Sequence, residues 1–259
     1  MQLRRFEANG APVVGWLHEP HDRLVAHKTR PALVICAGGG YQRLSPREKD
    51  PVLLHFAALG YQCFLLEYAT KEAAAGLRPL RELAETVRLI RQNAEAWHIE
   101  KNHIAVLGFS AGGHLAASLG TLWQRPELDL GEGCRPDALV LCYPVITTGE
   151  FAHAESADTV TGGDPAMKEL LSLEKQVTPH MPPTFLWHCV GDESVPVENA
   201  LLLAAAMQRA GIDYECHLFS GGAHGISVCT REVETPNPAA AEWLGLCMTW
   251  LNRRFDYTP

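Results

Sequence analysis

The sequence predicts an α/β fold, a mostly parallel twisted sheet with helices on both faces. Short apolar runs alternate with segments of helical spacing along most of the 259 residues. The runs are nearly continuous in apolar character, the pattern of strands covered on both sides. Several end in glycines that lead into a helical pattern, the punctuation of strand-turn-helix units.

Each element follows from its own pattern. Residues 13–17 alternate and read as an edge strand. Residues 32–36 (Ala-Leu-Val-Ile-Cys) form a central strand ending in glycines. A helix over 51–59 precedes a strand over 60–66. Over 80–97 the positions Leu80, Leu83, Val87, Ile90, Ala94 and Trp97 repeat at helical spacing. A strand at 104–107, a helix at 114–123, and strands at 138–143 and 184–190 follow. A helix at 197–210, a strand at 214–219 and a helix at 239–253 close the series. Residues 147–183 break the rhythm; they are rich in Thr, Gly, Asp, Glu and Pro, with one weak helix at 167–173. Such an insertion is either a lid or binding loop or a long surface connection. The expectation is one domain over 1–259 that includes it.

Composition narrows the function classes. Apolar residues make up 47% and charged residues 20%, and the formal net charge is −8. With no basic block, a nucleic-acid partner is not expected. No run of 18 apolar residues suggests a membrane span, and the first residues lack a signal-peptide pattern. Of eight cysteines, Cys36, Cys63, Cys142 and Cys189 lie inside apolar runs, where free cysteine behaves as a small hydrophobe. Neither CxxC nor a zinc spacing occurs, so the expected setting is reducing and cytoplasmic, without metal or organic cofactor.

Four motifs carry chemistry. Gly108-Phe109-Ser110-Ala111-Gly112 follows a strand and precedes a helix, the context of a nucleophile elbow. The sharp turn strains the serine backbone, exposes its hydroxyl and demands very small neighbours. Gly38-Gly39-Gly40-Tyr41 follows the strand at 32–36 and can aim backbone amides at an oxyanion. The donors assigned are the amides of Gly39, Gly40 and Ala111. His224, in Ser220-Gly221-Gly222-Ala223-His224-Gly225 after the last strand, is the candidate base among 12 histidines. Asp192, in Gly191-Asp192-Glu193, is the candidate acid, preferred to Glu193; the alternative is a turn or helix-capping aspartate.

With these residues the chain resembles the α/β-hydrolase superfamily, and more closely its acetyl-xylan-esterase-like carbohydrate esterases, relatives of the hormone-sensitive-lipase group. The resemblance rests on Gly38-Gly39-Gly40-Tyr41, Gly60-Tyr61 before Tyr68, Glu95-Ala96-Trp97, and Gly108 through Ala116. Tyr143-Pro144-Val145, Gly191 through Pro196 with Asn199, and His224-Gly225-Ile226-Ser227 complete it. Ala37 stands where relatives carry His or Pro, and Ala69 where arginine is common. The resemblance implies an α/β-hydrolase fold and a serine esterase removing short acyl (acetyl) groups from a sugar or small alcohol. The expected partner is that small-molecule ester; a homo-oligomer stays open. Competing readings are a peptidase or other acyl hydrolase on the same scaffold, a non-catalytic binding homologue, and a nucleotide-binding doubly wound domain.

Overall fold

The computed structural model describes residues 1–22 and 28–259. Its first strands, β1 (Gln2–Ala8) and β2 (Ala11–Leu17), pair antiparallel around Asn9-Gly10. Both turn residues have positive φ, 50° and 84°, the geometry of a tight hairpin turn. Then follow β3 (Arg30–Cys36), α1 (Asp50–Ala58), β4 (Gln62–Leu66), α2 (Arg78–Gln92), β5 (Ile99–Phe109) and α3 (Ser110–Leu122). β6 (Ala138–Cys142) leads into the insertion, which holds α4 (Ala154–Thr161) and α5 (Pro165–Leu170). The chain ends with β7 (Thr184–Cys189), α6 (Glu198–Ala210), β8 (Tyr214–Phe219), α7 (Pro238–Ala241) and α8 (Trp243–Phe255).

Among the described residues, eight strands form one sheet in the order β1-β2-β4-β3-β5-β6-β7-β8. From β4 to β8 every pairing is parallel; only the hairpin and its junction with β4 are antiparallel. Two apolar cores flank the sheet. Leu83, Val87, Leu115, Leu119, Leu203 and Met207 bring α2, α3 and α6 onto one face. Val52, Phe56, Trp243, Trp250 and Leu251 bring α1 and α8 onto the other. The predicted α/β-hydrolase architecture, with helices on both faces, is therefore present.

Several boundaries differ from the sequence reading, each for a physical reason. The strand read as an edge, 13–17, is second from the edge, because β1 lies outside it. β1 gives no apolar alternation, since most of its side chains are exposed. The helix expected over 80–97 stops at Gln92; Trp97 lies beyond it, in a turn that packs its ring against Phe6 and Phe64. The helix expected from 114 starts at Ser110, its glycines tolerated because all of α3 is buried. The C-terminal helix breaks at Glu242 into α7 and α8. The insertion has two helices rather than one: His153 caps α4 by accepting from the Ser156 amide, and Asp164-Pro165 starts α5.

The eight cysteines are free thiols, seven of them buried. No helix among the described residues is long and apolar enough to cross a membrane. His27, set aside as a base on sequence grounds, lies outside the described residues.

Candidate active site

Strand register assembles the site. β3 and β5 are neighbours, with Cys36 opposite Gly108, although β4 intervenes in sequence. The strand order therefore reverses at this point, and a crevice opens at the carboxyl ends of the two strands. The glycine turn after β3 and Ser110 after β5 flank that crevice. Phe109 pairs with Cys142, Cys142 with Trp187, and Cys189 with Phe219. The residues following β6, β7 and β8 are thus carried to the same edge.

Ser110 has φ 53°, while the preceding Phe109 is extended at φ −112°. The glycines around it are a steric necessity. A Cβ at Gly108 would stand 2.1 Å from the Gly112 carbonyl oxygen, and one at Gly112 would stand 2.1 Å from that of Cys36. Even Gly38 across the crevice has no room, since its Cβ would lie 2.8 Å from Ser110 Cβ.

The three residues picked from sequence meet in one line. His224 Nδ1 lies 2.6 Å from Asp192 Oδ2, and His224 Nε2 lies 2.7 Å from Ser110 Oγ. An ionised Asp192 can only accept, so the imidazole proton sits on Nδ1 and leaves Nε2 to accept from the serine hydroxyl. Asp192 has the geometry of a turn aspartate as well as of the histidine's partner. Its Oδ1 accepts from the amides of Ser194 (3.0 Å) and Val195 (2.9 Å), which makes it a turn aspartate, while Oδ2 faces the histidine. Glu193 is exposed and outside the line.

Burial alone would push the Asp192 carboxyl up. Hydrogen bonds from His188, His224 and the Val195 amide outweigh it and hold the group well below the usual carboxylate range. His188 is a residue that motif reading passed over. It is fully buried on β7, with Nε2 3.3 Å from Asp192 Oδ2 and 2.9 Å from the Val195 carbonyl oxygen. Its Nδ1 has no partner among the described residues. The only hint in the sequence was its place four residues before the acid.

The glycine turn is braced from below. Tyr41 donates to His114 Nδ1 (2.9 Å), and His114 Nε2 donates to the Leu171 carbonyl in the insertion (2.9 Å). Burial pulls the His114 pKa down to about 4, consistent with a neutral imidazole that both accepts and donates. Tyr68 donates to the Ala37 carbonyl. Gly39 and Gly40 have φ 124° and 67°, and both line the cavity with Ser110. Ala111 is buried in the first turn of α3, where helix amides lack intrahelical acceptors.

The cavity over Ser110 measures about 510 Å³. Its wall carries polar side chains: Arg43, Ser45, Arg47, Glu48, His153 and Glu155 join the two glycines. His153 and Glu155 come from the insertion, which is further tied down by Asn199. That side chain accepts from the Ile146 and Thr147 amides and donates to the Phe151 carbonyl. Among the described residues, no cluster of three His, Cys, Asp or Glu side chains is arranged to hold a metal ion.

Comparisons with known proteins identify the relatives of this chain. The family described as BD-FAE matches residues 22–138. The endo-1,4-beta-xylanase B of Butyrivibrio fibrisolvens is 36% identical over 213 residues, covering 78% of this chain and 33% of that protein. The acetylxylan esterase of Xylanibacter ruminicola is 28% identical over 207 residues, covering 77% of this chain and 42% of that protein. The chain thus spans a third to two-fifths of the length of these curated relatives. The crystal structure of the acetyl ester-xyloside bifunctional hydrolase from Caldicellulosiruptor lactoaceticus superposes with a TM-score of 0.84 at 34% identity, covering 96% of this chain and 89% of that one. On fold and sequence together, the chain belongs to the α/β-hydrolase superfamily, in its acetyl-xylan-esterase-like group of esterases.

Proposed function

We propose that the protein is a serine carboxylic-ester hydrolase that removes short acyl groups, acetyl foremost, from a carbohydrate or small alcohol. The observation that carries this reading is the unbroken line from Ser110 Oγ through His224 to Asp192. Ser110 attacks the ester carbonyl as His224 Nε2 takes its proton, forming a bond from Oγ to the carbonyl carbon. The oxyanion is held by the amides of Ala111 and of Gly39 or Gly40. The imidazolium is stabilised by Asp192 and then protonates the departing alcohol. Water, deprotonated by His224, releases the acid and restores the serine.

The charged and hydroxyl side chains on the cavity wall, Arg43, Ser45 and Glu155 among them, suit an alcohol with several hydroxyls. Relatives named for acetylxylan and acetyl-ester hydrolysis support the same substrate class. On this reading, residues 147–183 are the substrate wall of a single domain. Free buried thiols suit a reducing cytoplasm.

The test is hydrolysis of p-nitrophenyl acetate by wild type and Ser110→Ala. The variant is expected to lose about 10⁴-fold or more in kcat. Equal rates in the two proteins would remove the proposal. Acetylated sugars and aminoacyl amides assayed beside it separate the esterase from a peptidase.

A further inference from the structure

Glu48 is a buried carboxylate that the mechanism above does not use. It sits at the end of a short 3-10 turn, Pro46–Glu48, 2% exposed, on the wall of the cavity that holds Ser110 and His224. Its Oε2 accepts from the Gly38 amide at 2.7 Å, directly before the proposed oxyanion donors. Its Oε1 lies 2.8 Å from the Tyr143 hydroxyl. That hydroxyl accepts from the Ser227 amide at 2.9 Å, three residues beyond the base. The Tyr143 ring also meets His224 edge-on, with centroids 5.1 Å apart.

Hydrogen-bond bookkeeping sets the charge of this group. Tyr143 already accepts from Ser227, so its proton is free to go to Glu48. Gly38 can only donate. An ionised carboxylate accepts from both, whereas a protonated one would donate to Tyr143 and leave that hydroxyl's own proton without this acceptor. Burial pushes the Glu48 carboxyl above the usual carboxylate range; the bonds from Tyr143 and Gly38, the field of His224 and a bond from Ser45 offset part of that rise. A buried anion kept only for packing would be a poor choice, because apolar replacements of the same volume are often as stable or more so.

Resting on the esterase reading, we propose that Glu48 is a positioning residue, an ionised carboxylate that ties the oxyanion loop to the base loop and faces the imidazolium formed during turnover. A single chain of hydrogen bonds runs from Gly38 through Glu48 and Tyr143 to Ser227. Through it the donors for the oxyanion and the loop bearing the proton acceptor keep one spacing. The groups that face His224 are Asp192 after β7, His153 before α4, Tyr143 after β6, and Glu48. Those facing Glu48 are Ser45, Tyr143 and His224, with Tyr68 and Cys142 also within its field. The neighbouring Arg47 turns to Glu234, 3.4 Å away. Asp192 and Glu48 are thus two anions near the base, and Glu155 lines the same cavity.

The experiment compares wild type, Ser110→Ala, Glu48→Gln and Tyr143→Phe on p-nitrophenyl acetate across pH, with circular dichroism to confirm folding. Glu48→Gln should lose about 10²-fold in kcat, since misplaced reacting groups cost that much, with KM little changed. Removing the anion destabilises the imidazolium, so the acid limb of kcat/KM should move to lower pH by about half a unit. A folded Glu48→Gln protein whose acid limb stays at the wild-type pH overturns the proposal, whether or not its kcat falls. Where Glu48→Gln does not fold, Tyr143→Phe decides. An approximately tenfold lower kcat, the value of about one hydrogen bond, supports the link. Wild-type kcat in Tyr143→Phe overturns it. If wild type and Ser110→Ala hydrolyse the ester equally, the esterase reading itself has failed, a result distinct from any of these.

Discussion

The serine elbow and the histidine loop meet within 2.7 Å, yet they are held in unlike ways. The elbow is fixed by backbone sterics. Ser110 is forced to φ 53° between glycines with no room for a Cβ, at the start of a helix buried along its whole length. The histidine loop is tight at Gly222, where a Cβ would stand 2.5 Å from Cys189 Sγ, but open on either side of it. Gly221 and Gly225 have φ 65° and 72° but nothing within 4 Å of a would-be Cβ. Hydrogen bonds from distant residues hold it instead: Ser227 to Tyr143 and to the Arg47 carbonyl, and His224 to Asp192. The nucleophile is placed by what cannot move, and the base by polar partners drawn from three other loops. Removing a partner should therefore disturb the base selectively, whereas adding bulk should disturb the elbow.

The largest effect expected on the base side is that of Asp192→Asn. It should lower kcat by about 10⁴, because the imidazole then loses its fixed tautomer. Steady-state kinetics checks this; a loss under tenfold would mean that the loop orients His224 without the carboxylate. The same group has a signature in stability. Its folded pKa is depressed, so its contribution is present in full above the unfolded value of about 3.9 and is lost as pH falls below it. Acid unfolding of wild type should steepen in that window, and the asparagine variant should lack the extra slope.

Next in size is Gly112→Ala. A Cβ 2.1 Å from the Cys36 carbonyl oxygen must displace backbone, at a cost of about 3 kcal/mol or more. Thermal unfolding should show a clearly lower Tm, with activity lost in the folded fraction. By contrast, Gly225→Ala meets open space and adds only the strain of a positive φ, about 1 kcal/mol. If the two alanine variants are equally unstable, the contrast between steric and polar control is wrong. Between them falls His188→Leu, which removes a donor to a buried carboxylate and should cost about 1.5–3 kcal/mol in a denaturant titration.

The same contrast explains what was legible in the sequence. The elbow, the tri-glycine turn and the Gly-Asp and His-Gly turns are contiguous strings, because their constraints act over a few neighbouring residues. The central strands were equally plain, since burial on both faces makes them uniformly apolar. The hairpin strand β1 was missed because its side chains face water; the Asn9-Gly10 turn was the signal that could have found it. In the insertion α4 was missed and α5 was read only as a weak helix at 167–173, because neither carries a strong apolar stripe, and α5 buries nothing. Glu48, His188 and His114 were invisible as site residues. Each works through partners 10 to 95 positions away or through a fold that had first to be built.

The most direct test of the Ser110–His224–Asp192 line is where a fluorophosphonate lands on the folded protein, read by mass spectrometry of the peptides. The account predicts one adduct, on Ser110, formed rapidly in wild type and at a small fraction of that rate in His224→Ala. An adduct on another residue, or one on Ser110 that forms as fast without the histidine, would contradict it.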